Sequence, residues 1–402
     1  MTSLMDRLKS LGVTVGPANL DLPVKKPFFD KDLAQTLGGE LQQTIYGTVI
    51  RIEKHYPLGF SHGNILCHAP ITQDIFRKWG NLPDECPPRT FLFLDTETSG
   101  LSSGTGIFAF LVGIGFFLED GFHLIQYFLE TPANEPAMLA SFIQDISDTQ
   151  ILVTYNGKSF DIPLLRNRLI MNRMQNPLDV YFHADLLHIT RKIYKLFLPE
   201  RNLGIVEKEI LKFHRDELEV PGWMVPEIYA EFLQNHDPEP IKRVLYHNQI
   251  DIISLAALYQ HLNGLLAASG DNPCEIPHAV SLSIIRLYVE MGNLEIAESI
   301  LQQLIVESDF SLEYAKTCHL LAMGFKQAGL LDFALPWWEK AGHYGYSDAW
   351  IELAKYCEHQ VRNYTLALDY TEKAILAFPS SGITNAENQH RKQRLERLLT
   401  AE

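Results

Sequence analysis

The stretch FLFLDTETSGL, residues 91–101, limits what this chain can fold into more than any other segment. Four apolar residues lead directly into Asp95 and Glu97. Side chains alternate along a strand, so residues two apart share a face. The two carboxylates therefore stand together at the end of a strand that reads as core. Like charges so placed repel, and burial disfavours each of them unless a cation compensates it. No Lys or Arg occurs between Thr90 and Lys158, so the neighbouring sequence supplies no such charge. A divalent cation is the simplest solution, and an all-oxygen donor set suits Mg²⁺ or Mn²⁺. The bland alternative is a hydrated strand end at the surface, which for an isolated Asp-x-Glu is the usual case.

Two further acidic positions weaken that alternative. YNGKSFDIPLL puts Asp161 at the start of a helix, after a short strand and an Asn-Gly turn. Helix capping is the plain role for an Asp there. YHNQIDIISL puts Asp251 on an otherwise apolar helix, among Ile250, Ile252 and Ile253. His247 lies one turn earlier on the same face. The competing reading makes His247 a core histidine bonded to a backbone carbonyl.

A chain of 402 residues exceeds one ordinary core, which predicts two or three domains. Residues 1–88 read as a leader that begins with a short helix and continues with short strands in TVIRIEKHYPLGFSHGNILCH. The Pro-rich LPDECPPRT closes it. Residues 89–268 alternate strands and helices, including a hairpin turning at Glu119-Asp120-Gly121, the amphipathic EPAMLASFIQDI and the short apolar ILVTYNG. That order predicts one mixed sheet flanked by helices. Residues 269–402 read as helical and repetitive. Gly292 to Gly329 is 37 residues and Gly329 to Asn363 is 34, close to the 34-residue helical hairpin of tetratricopeptide repeats. Such repeats stack and leave a concave surface for a protein partner.

DTETSGL, YNGKSFDIPLL and HNQID, in that order, resemble the three exonuclease motifs of the DEDD superfamily. The chain is similar above all to the superfamily's YprB-type RNase-H-like domain, which shares the HADLLH segment at 183–188 and in some members a tetratricopeptide tail. The resemblance covers about residues 90–262. It implies an α/β RNase-H-like mixed sheet flanked by helices, followed by an all-α tetratricopeptide-like repeat domain. It also implies a 3′→5′ exonuclease acting on single-stranded DNA or RNA ends with two divalent cations, Mg²⁺ or Mn²⁺. Carried over by position, Asp95, Glu97, Asp161 and Asp251 resemble the metal ligands. His247 fills the slot where one branch has Tyr in YxxxD. Tyr246 fills the slot where the other has His in HxxxxD. Either could orient the attacking water, and the shared face of residues four apart favours His247. Thr96, Asn156 and Lys158 stand where contacts to substrate are expected.

The net charge of −15 argues against binding duplexes through a global basic field, and cations held by the carboxylates would reverse the local sign for a polyanion. Residues 191–215 are the most basic sizeable segment, with seven Lys or Arg against three Glu, and on their own read as a solvated helix face. In HADLLH, Asp185 reads as a helix cap or supporting carboxylate rather than a zinc ligand. Trp223 and Tyr229 read as core, with base stacking the alternative. Five dispersed cysteines (67, 86, 274, 318 and 357) form no CxxC pair, and the longest apolar run, IFAFLVGIGFFL, is too short to span a bilayer. Together with an opening segment that lacks the features of a signal peptide, they lead us to expect a reducing cytoplasm. A non-catalytic nucleic-acid-binding module and a repeat-based scaffold are the rival functions.

Overall fold

The computed structural model describes residues 31–100, 106–147, 149–216, 219–271, 276–304, 311–377 and 385–401. The helix expected at the start of the leader and Cys274 lie outside these residues. In chain order the strands are β1 (Glu40–Thr44), β2 (Gly47–Pro57), β3 (Phe60–His62), β4 (Ile65–Cys67), β5 (Phe91–Thr98), β6 (Ala109–Phe117), β7 (Gly121–Phe128), β8 (Ile151–Thr154) and β9 (Phe182–Asp185). Seven of them form one mixed sheet in the order β1-β2-β7-β6-β5-β8-β9, while β3 and β4 pair separately. β5, β8 and β9 run parallel, and the other neighbours are antiparallel. Residues 40–57, within the segment set apart as a leader, thus contribute β1 and β2 to the main sheet.

The first helices are α1 (Lys31–Thr36), α2 (Asp74–Gly80), α3 (Glu135–Asp145), α4 (Asp161–Met171), α5 (Leu186–Ile193), α6 (Leu203–Val206), α7 (Val225–Asn235) and α8 (Pro238–Asp271). They cover both faces of the sheet, which explains why β5 and β6 are continuous apolar runs. In β5, Phe91 and Phe93 enter one core while Leu92 and Leu94 enter the other. Asp95 and Glu97 continue the Phe91–Phe93 face. α8 packs on β5, β6 and β7. Its length and apolarity would suffice to cross a bilayer, but 67% of its most apolar stretch is buried inside the fold, as in a core helix. It approaches the sheet so closely at Gly113 that a Cβ there would lie 2.1 Å from Asn248 Oδ1.

A helical region follows: α9 (His278–Glu290), α10 (Leu294–Gln303), α11 (Ser311–Gln327), α12 (Leu331–His343), α13 (Ser347–Tyr356), α14 (Tyr364–Leu376) and α15 (Asn385–Ala401). Helices adjacent in sequence pack against each other, α11 with α12 and α13 with α14 among them. Gly292 and Gly329, just past the ends of α9 and α11, adopt φ of 76° and 77°, a conformation that favours glycine. Asn363 caps α14 by accepting from the Leu366 amide.

Candidate active site

Three separated elements bring the four expected carboxylates together. Asp95 and Glu97 come from the end of β5, Asp161 from the first turn of α4, and Asp251 from the middle of α8. A register shift between Glu97 and Thr98 ends regular pairing with β6 right after the pair, a common device for re-aiming side chains beside functional sites. The Thr96 hydroxyl donates to Asp161 Oδ1 at 2.5 Å, which ties the second segment to the first. Asn248 Nδ2 donates to Asp95 Oδ2 at 2.9 Å, which ties in α8. Asn248 is itself oriented by buried Gln126 of β7, whose amide donates to Asn248 Oδ1 at 2.9 Å and to the Leu245 carbonyl at 2.8 Å. Gly113 leaves the room that Asn248 needs.

His247 faces the cluster. Its Nε2 lies 3.6 Å from Glu97 Oε1 and 3.5 Å from Asp251 Oδ2, and its Nδ1 donates to Glu219 Oε1 at 2.5 Å. The Tyr246 hydroxyl bonds instead with Asp216. Of the two candidates for the water, His247 is therefore the one beside the carboxylates. One donor atom each from Glu97, His247 and Asp251 lie within 4.8 Å of one another, the spacing of a metal-ligand group.

Asp161 is the first residue of α4 rather than its cap, the N-cap position being Phe160, and its carboxylate meets Thr96 of β5 instead. Asn156 and Lys158 shape the approach to it. Asn156 sits at φ 71°. Its amide and that of Lys158 donate to the two oxygens of Asp185, at 2.8 and 3.1 Å. Asp185 is fully buried and also caps α5 through the Leu187 amide. It is a supporting carboxylate that fixes the loop from β8 to α4. The Lys158 side chain is exposed.

Arg215 is the residue that sequence reasoning missed. The segment 191–215 read as a solvated face, yet the Arg215 side chain is only 15% exposed. Its guanidinium pairs with Glu207 at 2.6 and 2.7 Å, with Glu219 at 2.6 Å, and with Asp251 Oδ1. The compensating cation absent near β5 in sequence arrives from 120 positions away, just past the left-handed turn at Lys212 that ends the helical stretch Glu207–Leu211. Trp223 is a correction as well. Tyr229 is buried, with its hydroxyl donating to the Leu129 carbonyl at 2.9 Å, but Trp223 is 65% exposed. It follows Pro221-Gly222 in a short turn, and a Cβ on Gly222 would lie 3.9 Å from His247 Nε2.

The electrostatics follow from this crowding. Burial, then the charges of Asp251, Glu97 and Asp161, push the Asp95 carboxyl well above the ordinary carboxylate range. Burial pushes Glu97 up to about 8, with Asp251 and Asp161 adding to it against His247. Burial also pushes Asp161 up to about 6, although its bonds to Thr96 oppose the rise. Burial alone would lower His247, but the bond to Glu219 and the charges of Asp251 and Glu97 raise it to about 9. Each of these groups binds its proton more tightly folded than unfolded. Their stabilising contribution is present at low pH and is lost as pH rises through the folded values. In EDTA, the melting temperature is expected to fall between about pH 5 and pH 9. Added Mn²⁺ is expected to raise it more at about pH 8 than at about pH 5. Melting curves at a series of pH values check this, and a flat profile in EDTA would contradict the shared cluster.

A model of the RNase H superfamily matches residues 92–263. These residues include Asp95, Glu97, Asp161 and Asp251 and the parts of β5, α4 and α8 that carry them. Residues 92–263 are an RNase H superfamily domain, nuclease-like and of a class that uses divalent metal ions on nucleic acid. The chain is homologous to the uncharacterised protein YprB of Bacillus subtilis (strain 168), with 32% identity over 335 residues that cover 80% of this chain and 79% of that protein. Among solved structures, the family B DNA polymerase from the hyperthermophilic archaeon Pyrobaculum calidifontis matches with a TM-score of 0.38 and 14% identity, over 62% of this chain and 34% of the polymerase.

Proposed function

We propose that the protein is a DEDD-type nuclease that hydrolyses phosphodiester bonds from the 3′ ends of single-stranded nucleic acid with two divalent cations, Mg²⁺ or Mn²⁺. The observation that carries this reading is the meeting of Asp95, Glu97, Asp161 and Asp251, from β5, α4 and α8, in one buried cluster.

The donor set fits hard cations. Six carboxylates, counting Glu207 and Glu219, face one guanidinium and one imidazole, so negative charge remains in excess. Arg215 occupies only Oδ1 of Asp251, and Oδ2 stays on the side of Glu97 and His247. Asp95, Glu97, Asp161 and Asp251 would hold the ions. When bound, such ions neutralise the phosphodiester and make water a competent nucleophile near neutral pH. Asn248 and Thr96 hold Asp95 and Asp161 in fixed orientations, which is what preorganised charge stabilisation requires. Glu219 fixes the His247 ring so that Nε2 points into the cluster. Once the surrounding carboxylates are compensated, the ring returns toward its ordinary value, and Nε2 can then accept a proton from the attacking water.

Exposed aromatic side chains beside the carboxylates support an unpaired substrate. Phe160 is 60% exposed and directly precedes Asp161, and Trp223 adjoins His247 through Gly222. Unstacked bases can lie on such rings at about 1–3 kcal/mol each. Trp223→Ala is expected to raise KM for a single strand by roughly tenfold, with less effect on a duplex, as initial rates on matched substrates would show. The helical pairs from α9 onward are read as tetratricopeptide-like and would receive a protein partner on their concave side.

The direct test is digestion of a 5′-labelled single strand. Stepwise shortening that needs Mg²⁺ or Mn²⁺ and stops in EDTA is the expected result. Failure to shorten DNA or RNA with either ion would overturn the nuclease reading and favour a binding module.

A further inference from the structure

The basic segment 191–215 is only partly accounted for by Arg215. Arg191, at the end of α5, and Arg201, just before α6, line a cleft of about 460 Å³ together with Tyr155, Asn156, Glu200 and Asn202. That volume lies within the ordinary range for ligand sites. Among the described residues neither arginine forms an ion pair with a carboxylate, whereas Lys192 in the same segment is paired with Glu290. Glu200, the acidic residue of the lining, accepts from Asn202 at 3.4 Å. The Tyr155 hydroxyl donates to the Arg201 carbonyl at 2.5 Å and so fixes the backbone of Arg201. Arg201 Nε is buried and has no hydrogen-bond partner. Arg201 Nη1 donates to the Leu198 carbonyl, but a buried Nε left unsatisfied is unfavourable unless an acceptor completes it, and for a guanidinium an anion is the strongest acceptor.

The position of the cleft says what that anion is. Tyr155 and Asn156 follow β8, which runs parallel to β5 in the register Phe93↔Val153. Tyr155 and Asp95 are thus each two residues beyond the same rung, and parallel neighbours lie about 4.8 Å apart. Ligands of parallel sheets bind at these carboxyl ends. Asn156 also belongs to the Asp185-braced loop that carries Asp161. The cleft therefore opens beside the carboxylate cluster, with the opposite sign of charge. Arginine forks match phosphate oxygens in two-pronged geometry.

We infer that this cleft is a substrate subsite in which Arg191 and Arg201 hold a backbone phosphate of the nucleic-acid strand next to the one being cut. This rests on the nuclease reading for its substrate class. It explains how a chain with net charge −15 can grip a polyanion at a place where no metal is required.

The test is binding in EDTA, which takes the metal out of the measurement. Fluorescence anisotropy of a labelled single-stranded oligonucleotide is followed between 50 and 200 mM salt for the full-length protein. In Arg191→Ala/Arg201→Ala the Kd is expected to rise about tenfold at the lower salt. The slope of log Kd against log salt is expected to fall by about 0.7, the value for one lost phosphate contact on a single strand. The exposed Arg191→Ala alone, which leaves the fold undisturbed, is expected to show about half of that change in slope. Arg191→Lys/Arg201→Lys is expected to restore the slope but not all of the affinity, because charge returns without the fork. Unchanged affinity and slope in the variants would overturn the subsite. So would competition by inorganic phosphate or a free mononucleotide as tight as the strand itself, which would mark a pocket for small anions. Hydrolysis of the same strand with Mn²⁺ separates the two ideas. Cleavage together with arginine-independent binding sinks the subsite and leaves the nuclease standing. Arginine-dependent binding without cleavage under either ion does the reverse.

Discussion

Asp95→Asn is expected to lower metal-dependent hydrolysis by roughly 10³-fold or more, a loss of at least about 4 kcal/mol of transition-state stabilisation, while leaving the fold intact. The two halves of this expectation come from the same geometry. Asp95 is buried among Asp251, Glu97 and Asp161, and its carboxyl is held well above its ordinary range. Its negative charge therefore opposes folding when no cation is present. Asn keeps the shape and removes the charge, so the melting temperature in EDTA should hold or rise, and the stabilisation by Mn²⁺ should shrink. A residue with a merely structural role would behave in the opposite way, losing stability along with activity. Single-turnover assays with melting curves in EDTA and Mn²⁺ check both halves. Retained hydrolysis in Asp95→Asn would remove β5 from the chemistry.

Arg215→Met is expected to give the largest loss of stability of any single change at the site, about 3–5 kcal/mol. The Glu207 side chain is 1% exposed and receives two bonds from the guanidinium, at 2.6 and 2.7 Å. Met can fill much of the volume but leaves that carboxylate in the interior without its cation. Breaking one partner of a buried pair is far more disruptive than replacing both. Burial already pushes Glu207 above its ordinary range, with Arg215 as the opposing influence. Without the arginine the carboxylate would be protonated more readily, so the destabilisation should lessen as pH falls. Urea midpoints at neutral and mildly acidic pH measure this. Activity should fall too, because Asp251 and Glu219 lose the group that spaces them. Arg215→Lys is expected to fall between the two, since an ammonium supplies charge without the planar fork. An unchanged urea midpoint in Arg215→Met would refute this account of the network.

The carboxylates were legible in sequence because their signals are local. Asp95 and Glu97 follow from the two-residue period of a strand, and Asp251 stands out because Ile250, Ile252 and Ile253 flank it. The mixed sheet was legible in the same way, from apolar runs cut by turns. What escaped was whatever depends on distant pairing. Arg215 sits in a basic stretch, where one more arginine is unremarked, and its partners are 8 and 36 positions away in Glu207 and Asp251. Asn248 is an ordinary amide until Gly113, on another strand, lets it reach Asp95. Trp223 looked like core by composition, but the turn after Pro221 leaves it in solvent. The strand character of residues 47–57 was readable. Their partner, β7, was not, because the pairing Ile50↔Phe128 closes a loop of nearly eighty residues.

That last pairing reaches beyond the sheet itself. β7 has β2 bonded along one side from Pro57↔Gly121 to Ile50↔Phe128. A fragment trimmed to residues 92–263, the span of the superfamily match, would leave this row of peptide groups without mates on an apolar, twisted ribbon. Such a flank invites other copies to add strands to it. The smallest piece worth producing for study must therefore begin before Glu40, and the homology boundary is a poor guide to where the molecule can safely be cut.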